Sequence, residues 1–500
     1  MQKRQTILVV ASLLVVVLSV TLAYFTAQII GKGKDVSVSS ADLKIIFTDS
    51  DGSISGTNIE PGKWNVTKTF TIENKSNETY KYNIVIQNLI NTFVTNGYLQ
   101  YKITSTNGGY NMTEFKDVPK SETATDTILA YSVSILVGVT QSYTVEFKYS
   151  NDESVDQSDD MGKKLSGKLF ITEGTEQPTL LSQILKDNPT IQTRTDFDTT
   201  FTETNTGTLY KATESIAGNT PKDVYYFAGD AKNNWVKFGG FYWRIIRTNY
   251  DGSIRLLYSG TSHNTTEGYI GESAFNTTRN DPMYVGYMYG TTGSLENNRL
   301  NTNDSTIKTY VDNWYKNNLT AYTKYLSNDA VYCNDRELAS GSTYNTGNTK
   351  FYYASYGRLD TNKTPTYYCT NIKDAFSGSN SEAKLTYPIG LMTIDEIAYA
   401  GGKSDTSLAS PYAWYYLNSA GESITRWTYW WALSPNNWDG SGSKVWFVFG
   451  SFSPGYLLSQ GVEHSFALRP AISLKSCTLY STGDGSATNP YTIQETDTGC

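Results

Sequence analysis

The period of the hydrophobic pattern changes along this chain, and each change marks a new kind of structure. The chain opens with an unbroken apolar run of 19 residues, Ile7 to Phe25, behind Lys3 and Arg4. As a helix that run spans roughly 28 Å at about 1.5 Å per residue, just enough for a hydrocarbon core about 30 Å thick. Thr21-Leu22-Ala23 offers a small-x-small cleavage site. Residues 1–30 therefore read as a signal peptide or an N-terminal membrane anchor, with Lys3 and Arg4 on the cytoplasmic side in both cases.

From residue 31 to 174 the period drops to two. Tyr143, Val145, Phe147 and Tyr149 alternate with polar residues, as do Leu43-Ile45-Phe47, Tyr80-Tyr82-Ile84-Ile86 and Leu165-Leu169-Ile171. Turn clusters at Asp49–Gly52, Pro61-Gly62 and Asn74–Asn77 separate them. This predicts an all-β sandwich of jelly-roll or immunoglobulin-like type. Asp49-Ser50-Asp51-Gly52-Ser53 has the opening of a calcium loop, with Glu60 at its twelfth position. It lacks the second acidic pair and flanking helices, and reads as a β-turn.

Residues 175–222 show little periodicity and are Thr-rich, which predicts a linker carrying a short helix from Leu180 to Lys186, stopped by Asn188-Pro189. Residues 223–500 mix periods and predict an α+β domain. Phe241–Arg247 and Ser253–Tyr258 flank an Asp-Gly turn, a hairpin signal. Ile307, Val311, Trp314, Tyr315 and Leu319 recur at helical spacing within 304–326. Thr393-Ile394-Asp395-Glu396 is a capping box, and Gly401-Gly402 ends its helix.

Composition narrows the function. Tyr (39) far exceeds Phe (19), and charged residues make up only 18%, a β-rich exported profile. The formal net charge of −7 argues against a nucleic-acid partner, which would need a basic face. Cys333, Cys369, Cys477 and Cys500 should pair outside the cytoplasm. Three pairings exist, and local bracketing favours Cys333–Cys369 and Cys477–Cys500.

Catalytic motifs are scarce. His263 and His464 are the two histidines, and neither belongs to a zinc-protease motif. No nucleophile-elbow motif is present, and the capping box accounts for the adjacent acids Asp395 and Glu396. The aromatic stretch after Trp427 carries the candidate ligand-binding set: Trp430, Trp431, Asn436, Asn437, Trp438 and Asp439, centred on a predicted loop from Ser434 to Ser443. Exposed indoles stack on sugar rings, and core packing is the competing role. No metal or cofactor is implied.

Two resemblances add to this reading. Thr21–Thr26, the first strand at 41–49, Ile59-Glu60-Pro61-Gly62 and Lys68–Asn74 resemble the camelysin and biofilm-matrix-fibre family of Gram-positive bacteria, which implies a jelly-roll-like sandwich. The segments at 236–247, 251–260, 305–319, 333–338, 387–402, 429–435 and 467–476 resemble, in order, an uncharacterised extracellular domain family of Gram-positive bacteria. The closing segments are also similar in pattern to C-type-lectin-like and formylglycine-generating-enzyme domains, a likeness that carries no function by itself. The expectation is a non-enzymatic cell-surface or extracellular-matrix protein that binds glycan or protein through its C-terminal domain, and touches the membrane through Ile7–Phe25 if that run is uncleaved. The alternatives are a fibre subunit assembling through the sandwich and an extracellular hydrolase or oxidase.

Overall fold

The computed structural model describes residues 36–38, 41–47, 52–55, 59–201, 207–404, 413–450, 455–496 and 498–500. The apolar run Ile7–Phe25, the Thr21–Thr26 segment and the acidic turn Asp49-Ser50-Asp51 lie outside them. Among the described residues no helix is long and apolar enough to cross a membrane. The chain is β-rich and divides into two compact units, Met1–Gln177 and Pro178–Cys500.

The N-terminal unit contains β1 (Val36–Val38), β2 (Ala41–Phe47), β3 (Asn65–Asn74), β4 (Tyr80–Asn91), β5 (Leu99–Ser105), β6 (Lys116–Asp117), β7 (Ser121–Ile135), β8 (Thr140–Tyr149) and β9 (Leu165–Glu173). One sheet runs β1-β2-β3-β8-β5-β6 and the other β7-β4-β9, with antiparallel neighbours throughout. Strand β8 shows why: Gln141, Tyr143, Val145, Phe147 and Tyr149 are buried, while the residues between them are not. Both sheets feed one core, in which Ile72, Ile103 and Val145 share a cluster with Ile84, Ile86 and Leu169. The Tyr82 hydroxyl meets Gln141 Oε1 and the Tyr143 hydroxyl at 2.5 Å each, so these buried polar groups are hydrogen-bonded rather than orphaned.

The C-terminal unit begins earlier than the sequence pattern indicates. Residues 175–222 are no linker. They supply α1 (Leu180–Asp187), β10 (Ile191–Thr193) and β11 (Thr208–Ile216) to this unit. Helix α1 is capped by the Thr179 hydroxyl and buries Leu180 and Ile184 in the unit's core. Strand β11 reads as polar because Thr208, Lys211, Thr213, Glu214 and Ser215 interrupt its apolar residues, yet Thr is a good strand former. Its Glu214 and Ser215 are buried, and a buried polar pair leaves no hydrophobic period in the sequence.

The main sheet runs β10, β11, β12 (Lys222–Ala228), β14 (Phe241–Thr248), β15 (Ile254–Tyr258), then Pro470–Leu474 and Ile389–Leu391. Strand β13 (Trp235–Phe238) pairs with β14, and Tyr367–Cys369 runs parallel to the far end of β11. A second sheet centres on Trp430–Trp438, flanked by Ser443–Val448 and Ser465–Ala467. The predicted hairpin forms as β14 and β15, with Gly252 at φ +80° in its turn, a conformation that suits glycine. The amphipathic pattern becomes α2 (Thr306–Asn318), shorter than 304–326 because 3₁₀ turns from Thr320 to Tyr325 follow it. Ile307, Val311, Tyr315 and Leu319 are fully buried.

Disulfides join Cys333 to Cys369 and Cys477 to Cys500, the two local pairs, as an oxidising compartment allows. Closing such loops stabilises the fold by about 3–4 kcal/mol each in the chain-entropy account. Because β11 sits between β12 and Tyr367–Cys369, residues 178–500 should unfold in one cooperative transition by circular dichroism. Residues 223–500, which lack β11, should show none. A sharp transition in the shorter fragment would refute the boundary at Pro178.

Candidate functional site

Five of the six residues of the sequence-derived ligand set lie inside the protein, and the sixth, Asp439, is half-buried in a turn. Trp430 and Trp431 are fully buried, and Asn436, Asn437 and Trp438 are 2–3% exposed. Ser434–Ser443 is not a loop. Trp430–Trp438 is a continuous strand buried along its whole length, and only Asp439–Gly442 turns. The pattern misleads because this strand has neighbours on both edges and packed layers on both faces, so aromatic residues at successive positions are all core. The Trp431 indole donates to Ser273 O at 3.0 Å, which satisfies its one polar atom. Asp439 serves the turn, accepting from Ser441 N, Ser441 Oγ and Gly442 N and pairing with Lys444 at 3.1 Å. Burial alone would raise its carboxyl, but these donors outweigh burial and hold it at about 2. Gly440 in that turn has φ +95°, and a Cβ there would lie 2.4 Å from Asn348 O.

That close approach leads to the surface the strand supports. Phe351–Tyr352 pairs with Trp438 and Asn437. The Trp438 indole donates to Gly347 O at 2.7 Å, pinning the loop of residues 340–350 from beneath. Asn345 fastens the same loop internally, donating to Thr343 O and Thr349 O and accepting from Gly347 N. Outside lie two adjoining hollows of about 740 and 410 Å³ that share Ser340, Ser342 and Tyr352. Together they form a groove of a size suited to a small ligand or a few sugar units.

The groove is aromatic at its centre and polar along its walls. The Tyr352 and Tyr356 rings stack with centroids 3.9 Å apart at 23°, and Tyr356 in turn lies 6.5 Å from buried Trp446 in near-parallel orientation. Burial, then a hydrogen bond to Asp360, pushes the Tyr356 phenol well above its usual value, so it is neutral across the physiological range. Ser342, Thr343, Asn345, Thr349, Thr361 and Asn362 supply hydroxyl and amide groups around the ring pair. Stacked rings beside hydroxyl and amide groups are the chemistry that takes the apolar face and the hydroxyl rim of a sugar.

At the inner end of the groove Arg358 is held by two carboxylates. Its Nη2 donates to Asp335 Oδ2 at 2.6 Å and to Asp395 Oδ2 at 2.7 Å, and its Nε to Asp395 Oδ1 at 3.0 Å. Burial pushes the Asp335 carboxyl above the usual range, and the Arg358 guanidinium pulls it back only in part. Asp335 also has φ +42°, a left-handed conformation that Asp tolerates better than most residues. Asp335 and Asp395 thus converge as an acid pair would, but Arg358 occupies both.

Beneath them a cavity of about 20 Å³, lined by Glu214, Arg247, Arg255 and Cys333 among others, is too small for any organic ligand. It borders a buried ion network. Glu396 Oε1 accepts from Arg247 Nε at 2.8 Å and Arg255 Nη1 at 2.5 Å, while Arg247 also pairs with Glu214 at 2.9 Å. Burial favours the neutral acid, but the two arginines outweigh it and hold Glu396 below its ordinary value. His263 bonds Ser419 Oγ at 2.6 Å and His464 lies beside Glu463 at 3.7 Å, and neither lines the groove.

Sequence reasoning missed the groove entirely. The available signal was the Tyr-rich stretch Phe351–Arg358 directly after a Gly-, Ser-, Thr- and Asn-rich loop, a surface-aromatic pattern less conspicuous than five tryptophans. Among known proteins, no family model, no curated protein and no solved structure matches the chain.

Two outcomes test this arrangement. Glu396→Gln keeps a capping-box side chain but removes the charge, and should cost about 3–5 kcal/mol in denaturant unfolding of the C-terminal unit. Because Glu396 sits below its ordinary value of 4.5, its contribution is complete above that pH and is lost as pH falls through the lower folded-state value. The gap between wild type and Glu396→Gln should therefore close on acidification, and a gap that widens would contradict the pairing. Trp438→Phe should speed amide exchange at residues 343–349 while leaving exchange in β14 and β15 unchanged.

Proposed function

We propose that this chain is an exported cell-surface or extracellular-matrix protein of non-enzymatic character, whose C-terminal unit binds glycan in the Tyr352 groove. The observation that carries this reading is the half-exposed Tyr352–Tyr356 stack, set on a buried strand and walled by hydroxyl and amide groups. Preorganisation of the 340–350 loop by Asn345 and Trp438 supports it, since a wall already ordered loses little entropy on binding. The two disulfides fit an oxidising location. In this reading the N-terminal unit is a jelly-roll- or immunoglobulin-like spacer, the C-terminal unit is used as lectin-like domains are, and residues 1–30 direct export or anchor the chain. The resemblance to camelysin-type and Gram-positive extracellular proteins points the same way.

Glu122 and Asp126 are exposed on edge strand β7, and charges of this kind blunt strand addition, which favours a binding role over a fibre built through that edge.

The test is an immobilised glycan panel probed with the purified full chain, followed by titration of the best ligand. Tyr352→Ala should weaken binding about tenfold or more, in line with about 1–3 kcal/mol for one stacking ring, with no change in far-ultraviolet circular dichroism. Binding that survives Tyr352→Ala and Tyr356→Ala together would place the ligand elsewhere.

A further inference from the structure

The charges lining the groove are one-sided. Of the residues that form its walls among those described, none is Asp or Glu, and the two charged ones are Lys350 and Arg358. This stands out in a chain where 48 acidic residues outnumber 41 basic ones. The two cations differ. Arg358 is already engaged by Asp335 and Asp395 at the inner end. Lys350 is exposed, and its ammonium sits 4.4 Å from the centre of the Tyr352 ring. Tyr356 covers one face of that ring at 3.9 Å, so Lys350 must lie over the other, the face a sugar would use.

A cation over an exposed ring is held weakly, by about 0.5–1 kcal/mol, and a four-carbon stem lets it swing aside. A neutral sugar taking its place would leave the ammonium with nothing gained. A sugar bearing an anionic group would take the ring face and give the displaced ammonium a partner in the same step. The chain's overall negative charge does not cancel this, because at physiological salt charges beyond about 8 Å are largely screened.

We infer that the Tyr352 groove selects acidic oligosaccharides, with a sugar ring on Tyr352 and its carboxylate or phosphate on Lys350. The inference rests on the glycan reading above and adds its charge specificity. Carboxylate and phosphate share this chemistry, and the experiment separates them.

The purified full chain is titrated with two matched sets: uronate oligosaccharides against their methyl esters, and phosphorylated oligosaccharides against their dephosphorylated forms. The acidic member of at least one set should bind more tightly, with affinity that falls as salt rises, whereas its neutral counterpart should be insensitive to salt. Lys350→Gln should weaken the acidic ligand about threefold to tenfold without weakening the neutral one, which no longer has to displace an ammonium from the ring, and Lys350→Glu should reverse the preference. Lys350 is exposed, so both variants should fold as wild type. Equal affinity within both pairs, or no effect of Lys350→Gln, would overturn the acidic preference while leaving glycan binding intact. No binding of any oligosaccharide in either set would overturn both.

Discussion

The C-terminal unit is organised around one buried carboxylate. Glu396 accepts from Arg247 and Arg255 with one oxygen and from the Thr393 backbone N–H with the other. It thereby ties α3 (Ile394–Ala400) to β14 and β15, and through Arg247 to Glu214 on β11. Two arginines and two glutamates, each at most 4% exposed in their side chains, give a buried group of balanced charge. Removing such charges from water is expensive, and a well-packed apolar replacement would often be as stable. What the ions add is exclusivity. A carboxylate that must meet two guanidiniums and cap a helix permits one register of the strands that carry them, whereas leucines would tolerate several.

That fixed register is what allows the aromatic layers to close. Trp430, Trp431, Trp446 and Trp243 are fully buried, and each of the indole N–H groups of Trp243, Trp431 and Trp446 finds an oxygen acceptor. Arg244 lies over Trp235, and Arg469 lies over Trp430 while donating to the carbonyls of Tyr258, Gly268 and Tyr415. Arg244 and Arg469 are thus held by carbonyls and ring faces. The Trp446–Tyr356–Tyr352 succession carries this order outward, so the exposed end of the groove inherits its position from the core.

Much of the fold was legible in the sequence, and the reasons differ by element. The β8 alternation, the Asp-Gly hairpin and the Thr393–Glu396 capping box are local signals, each settled by neighbours within a few residues. The local disulfide pairs are of the same kind. Strand β11 was not legible, because its burial comes from Arg247 and from Tyr367–Cys369, far away along the chain. The candidate site failed for a related reason. Trp430 to Trp438 announces aromatic density, but density does not say which side faces water, and the strand turned out to have no wet side. Tyr352 and Lys350 meet the solvent because that strand sits behind them.

The strand order of the main sheet also constrains when the unit can fold. Pro470–Leu474 lies between β15 and Ile389–Leu391, and so fills an interior place in a sheet whose first strand begins at Ile191. Until that segment emerges, the edge of β15 that carries Ile254, Arg255, Leu256 and Leu257 lacks this partner. Contacts this distant in sequence make closure slow. The sheet is therefore completed only once Pro470–Leu474 has been made, and the strands before it wait for a partner that is distant along the chain.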